Sequence, residues 1–115
     1  ENVIFFNRPG SPLRVDFVKV DRSTLDQLLA AAVTVDYFAG HPVKVPQLKD
    51  LLAMKIFALT SGSPRREEKD FPDIVHLAIE NGVDLERELR PLCERFGTEA
   101  LYEKLCTRIG ELRHD

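Results

Sequence analysis

The chain has 115 residues, 43% of them apolar and 30% charged, with a formal net charge of -3. That composition matches one globular domain with a modest core and argues against a disordered chain. The slight acidity leaves no global basic field, so any contact with a phosphate or nucleic acid has to come from a local cluster such as Lys55 with Arg65, Arg66 and Lys69. No apolar run is long enough to span a bilayer, and the first residues carry no basic, cleavable leader. The two cysteines, Cys93 and Cys106, are not a Cys-x-x-Cys pair and read as small buried apolar residues in a reducing compartment, which predicts a cytoplasmic location.

The sequence starts at Glu1 without Met and enters the apolar run Val3-Ile4-Phe5-Phe6 at once, so it is expected to begin inside a fold. Val3 to Asn7 reads as a strand, and Arg8-Pro9-Gly10-Ser11-Pro12 as a turn. From Leu13 to Val20, Leu13, Val15 and Phe17 alternate with Arg14, Asp16 and Val18, the period of a strand. Asp21 to Thr24 supplies cap residues for a short helix reaching about Ala32. A second hairpin follows, Thr34 to Phe38 and Pro42 to Val45, around Ala39-Gly40-His41.

Pro46 suits the first turn of a helix in which Leu48, Leu51, Leu52, Lys55, Ile56 and Leu59 recur at three- and four-residue spacing. Ser61-Gly62-Ser63-Pro64 ends that helix, and the charged run Arg65 to Lys69 reads as a mobile bridge to the next, with Asp70 as its N-cap. The helix from Phe71 stops at Asn81-Gly82. Another begins at Asp84 and runs to Phe96 with Pro91 as a point of kinking, and the last carries Leu101, Leu105, Ile109 and Leu112. Strands first and helices after predict an α+β fold: a small, mostly antiparallel sheet over residues 1–45 followed by a helical half over 46–115. No internal repeat is present.

Three places carry possible chemistry. Asp16 puts a carboxylate in mid-strand, either facing solvent beside Arg14 or directed at a divalent cation. Lys55 lies on the apolar stripe of its helix, four residues from Leu51 and from Leu59, and either snorkels or reaches a phosphate as a point charge. Asp70 and Asp73 act as capping acids at a helix start, with Pro72 in the first turn. The same helix end, beside Arg65, Arg66 and Lys69, doubles as an anion site. His41, His76 and His114 lack metal-ligand spacing, and the six glycines form neither a phosphate loop nor a nucleophile elbow, so hydrolase and P-loop readings find no support.

In order and spacing, Leu13-Arg14-Val15-Asp16, the run Val43 to Lys55 and Lys69-Asp70-Phe71-Pro72-Asp73-Ile74 resemble the AbiEii-type nucleotidyltransferases of the DNA polymerase beta-like superfamily. The resemblance covers the chain to about Asn81. It implies a nucleotidyltransferase-like fold and Mg²⁺-dependent transfer of a nucleoside monophosphate from a nucleoside triphosphate to RNA, protein or a small acceptor. It also implies a toxin with a cognate antitoxin. Position by position, Asp16 looks like the strand-borne carboxylate of the metal site, Lys55 like the helical lysine near the nucleotide, and Asp70 and Asp73 like the acids of the Lys/Arg-Asp-x-x-Asp motif. Arg65, Arg66 and Lys69 join Lys55 and Asp73 on the nucleotide side. The family's first motif, a Gly-Ser or Gly-Gly turn followed by Asp-x-Asp on a strand, is absent. The 115 residues are therefore expected to be an inactive part of a longer enzyme, or else a noncatalytic interaction module that kept the fold.

Overall fold

The computed structural model describes residues 3–7, 9–10, 14–18, 20–62 and 64–113, with side chains outside the description at 3–7, 14–18, 37–38 and 64–66. It divides into two compact units, Glu1–Pro46 and Gln47–Asp115.

In the first unit β1 (Val3–Asn7) pairs antiparallel with β2 (Arg14–Val18), and Asp16 stands opposite Phe5 in the register. Gly10, at φ 79°, adopts a left-handed conformation in the turn between them. The helix α1 (Arg22–Ala31) starts where Asp21 accepts a hydrogen bond from the Thr24 amide at 2.7 Å. β3 (Val33–Phe38) and β4 (His41–Val45) form the second hairpin around Ala39-Gly40, where Gly40 has φ 76°. The register moves from Val35↔Val43 to Phe38↔His41, so Asp36 and Tyr37 together oppose Pro42. A proline has no amide proton for the ladder, and the bulge accommodates it. The strands thus pair antiparallel as expected, but among the described residues as two separate two-stranded ladders instead of one sheet.

The second unit is helical: α2 (Leu48–Ser61), α3 (Pro64–Glu80), a single π turn (Leu85–Leu89), α4 (Arg90–Phe96) and α5 (Glu99–Arg113). Leu52 and Ile56, Ile74, Val75 and Ala78, Leu89 and Cys93, and Tyr102, Leu105 and Ile109 are buried at three- and four-residue spacings, and with Val83 they make one core. Every buried apolar residue among those described lies in this unit.

Two helix starts differ from the sequence expectation, one by about two residues and one by more than a turn. Gln47, not Pro46, stands at the start of α2, its carbonyl accepting from the Asp50 and Leu51 amides, and Pro46 precedes it. The larger correction concerns Arg65 to Lys69, which is helix and not a bridge, because α3 begins at Pro64. Proline is favoured in a first helical turn, and Arg, Glu and Lys are good helix formers, so the charged run extends the helix. Asp70 is accordingly interior to α3, and it is not an N-cap. Pro72 is interior too, with no amide to bond to the carbonyl of Glu68. Both residues are exposed, so water can serve that carbonyl and the helix continues.

At its other end α3 closes in a Schellman motif. Val83 donates to the Ala78 carbonyl at 2.9 Å and Gly82 to the Ile79 carbonyl at 3.3 Å, with Gly82 at φ 59°. Asp84 then accepts from the amides of Glu86 and Arg87. The Leu89 amide bonds to the Asp84 carbonyl and the Arg90 amide to that of Leu85, both five residues back. An ordinary helical turn would press the Pro91 ring against the Arg87 carbonyl, and the wider π turn relieves that clash. The kink expected at Pro91 is thus placed in the turn before it.

Candidate functional site

α2 and α3 pack against each other, and their contact brings together three residues that the sequence singles out. On α3, Asp70, Ile74 and Ala78 follow at four-residue steps, and all three are buried, so Asp70 is a carboxylate in a core position with 2% exposure. A charge so placed requires a counter-charge, and Lys55 of α2 supplies one, its ammonium 3.6 Å from Asp70 Oδ1. The same ammonium donates to Asp73 Oδ2 at 3.0 Å. Asp70 and Asp73 are three residues apart, so one helical face brings both carboxylates to one amine.

The three side chains differ in solvent access in a way that orders their roles. Counting side chains alone, that of Asp70 is 3% exposed, that of Lys55 21% and that of Asp73 40%. The ammonium therefore sits at the core edge, with a dry carboxylate on one side and a wet one on the other. Lys55 thus neither points freely into water nor waits unpaired for an anion.

Around this cluster, α3 is tied to α5 by Lys104, whose ammonium pairs with Glu67 and lies 4.9 Å from the centre of the Phe71 ring. Arg113 of α5 donates to the carbonyls of Val83 at 3.0 Å and Ala78 at 3.4 Å, which steadies the far end of α3. These bonds fix the helix that holds Asp70 and Asp73.

The remaining expected site residues fall elsewhere. Asp16 is in the first unit, on β2, and its side chain lies outside the described residues. Arg65 and Arg66 belong to the first turn of α3 and their side chains are likewise outside the description. Lys69 is described, half-buried and one turn before Asp73. The helix start beside which an anion site was expected lies at Pro64, next to Arg65 and Arg66, and not at Asp70. Among the described residues no group of three or more His, Cys, Asp or Glu side chains gathers to hold a metal ion. The two acids that do converge share the Lys55 ammonium.

A family model described as nucleotidyl transferase AbiEii toxin, type IV TA system, matches residues 3–111, nearly the whole chain and both of its units. The chain belongs to the AbiEii nucleotidyltransferase toxin family. No curated protein and no solved structure matches it. The AbiEii match extends past Asn81 to include α4 and nearly all of α5, helices on which the sequence motifs were silent. In this AbiEii family chain no described helix is long and apolar enough to cross a membrane.

Sequence reasoning missed the pairing of Lys55 with Asp70 and Asp73, because each acid already had a local explanation as a cap. One signal was available: the four-residue step from Asp70 to Ile74 and Ala78 places the acid on the apolar stripe of an amphipathic helix.

Proposed function

We propose that this chain supplies the nucleotide side of a Mg²⁺-dependent nucleotidyltransferase, which transfers a nucleoside monophosphate from a nucleoside triphosphate to RNA, protein or a small acceptor. The observation that supports the reading is the convergence of Lys55, Asp70 and Asp73, residues distant in sequence, within a chain of the AbiEii family. Lys55 is the residue for a phosphate, aided by Arg65, Arg66 and Lys69, because a cation on a long stem can follow a triphosphate. Asp70 holds it in position from the core side. Asp16 contributes a carboxylate to the metal, together with the Asp-x-Asp pair that these 115 residues do not contain. The ion, when bound, would neutralise charge on the triphosphate. The toxin family further implies a cognate antitoxin as partner.

One observation favours a second reading, a noncatalytic module that retains the fold: Lys55 already has two carboxylates, which makes it a serviceable strut between α2 and α3 with no ligand at all.

Transfer of label from α-³²P nucleoside triphosphates with Mg²⁺, using protein expressed from the natural gene, separates the two. Labelled RNA or protein that disappears in Asp16→Ala and in Lys55→Ala is the expected outcome. Absence of transfer to any acceptor favours the module, and full transfer by Asp16→Ala removes that residue from the metal site.

A further inference from the structure

The unequal burial of the two acids around Lys55 suggests what happens when an anion arrives. Asp70 is enclosed, so water cannot take the place of the ammonium beside its carboxylate. Asp73 is 40% exposed, and water can solvate its carboxylate if it turns away. An ion pair with a partner this exposed is weak, because water screens it. The Lys55 ammonium has three protons. One is given to Asp73 at 3.0 Å, while Asp70, at 3.6 Å, acts as an ion-pair partner. The bond to Asp73 is thus the shorter of the two and also the easier to exchange.

We infer that Asp73 is a built-in competitor for the anion site of Lys55: it occupies the ammonium in the free protein and is displaced by a polyphosphate, while Asp70 stays paired and keeps the lysine aimed. The inference rests on the nucleotide-binding reading above and adds an autoinhibitory contact to it. An incoming triphosphate carries several negative charges against the single charge of Asp73, so the exchange favours the ligand at sufficient concentration. The displaced carboxylate then lies beside a bound anion and repels it, which lowers affinity.

The test measures binding of inorganic tripolyphosphate and of ATP by calorimetry to the full chain and to three variants. Asp73→Asn keeps a hydrogen-bond acceptor of the same shape and removes only the charge. It is expected to bind both probes about two- to fivefold more tightly, the range set by a half-exposed ion pair. Glu80→Gln removes the same unit of charge from an exposed position at the end of α3 and is expected to bind as the unaltered chain does. Lys55→Gln is expected to bind neither probe measurably. If the unaltered chain and Asp73→Asn both fail to bind, the nucleotide-binding reading itself falls, and this inference with it. If the chain binds but Asp73→Asn is no tighter than Glu80→Gln, or if Lys55→Gln binds normally, the competitor role is overturned while nucleotide binding stands.

Discussion

A Cβ atom placed on Gly97 would lie 2.8 Å from Cγ2 of Ile56, closer than two carbons approach without something moving. Ile56 is fully buried and β-branched, so its methyl has little freedom to withdraw. Gly97 also ends α4, its amide donating to the Cys93 carbonyl at 2.9 Å, and a side chain there would meet Leu101 at 3.3 Å as well. The glycine is therefore required by close packing of α4 on α2, the helix that bears Lys55.

Gly97→Ala is expected to destabilise the fold by about 1–3 kcal/mol, the usual cost of overpacking a core. Urea unfolding followed by circular dichroism checks this, and the double variant Gly97→Ala with Ile56→Leu should recover part of the loss, because leucine carries no methyl on Cβ where Cγ2 of Ile56 makes the clash.

Lys55→Met preserves the stem of the side chain and removes the ammonium that faces the buried Asp70. A loss of about 2 kcal/mol is expected near neutral pH, below that of a fully buried pair because Lys55 is one-fifth exposed. Adding Asp70→Leu to Lys55→Met should restore much of the stability, since two apolar groups replace a broken ion pair. A double variant as unstable as Lys55→Met alone would contradict the account of Asp70.

Cys93 and Cys106 should separate in reactivity. Burial first, then the proximity of Cys106 and Glu99, pushes the Cys93 thiol up from 9.0 to about 11, so very little thiolate exists at pH 8. The half-buried Cys106 is expected to take iodoacetamide first in the native protein, as peptide mapping would read. Because the folded state keeps the Cys93 proton longer than the unfolded state does, its contribution is complete below about pH 9. It is lost as pH rises toward about 11. The decline in melting temperature over that interval should be shallower in Cys93→Ala than in the unaltered chain.

Local signals were readable from the sequence because they depend on neighbours within a few residues. Asp21 caps α1 through Thr24, Gly82 closes α3, and Gly40 turns the second hairpin, each as its residue type requires. The apolar stripes of α2 and of α5 also foretold Leu52, Ile56, Leu105 and Ile109 as core. Pro91 was identified as a disturbance, although not as the cause of a π turn, since the relief of its clash depends on which carbonyls the preceding turn can shift.

The assignment of Asp70 was decided only in three dimensions. Asp70-Phe71-Pro72-Asp73 satisfies every local rule for a helix start, and a start at Pro64 satisfies them as well, so local propensity has two answers. Packing selects the longer helix, because only then do Asp70, Ile74 and Ala78 share a buried face and Asp70 meet Lys55. The sequence determined which residues are charged, capped and apolar. The contact of α2 with α3 decided that two of those acids serve one lysine 15 and 18 residues away, since burial makes a distant counter-charge obligatory where a local cap would have needed none.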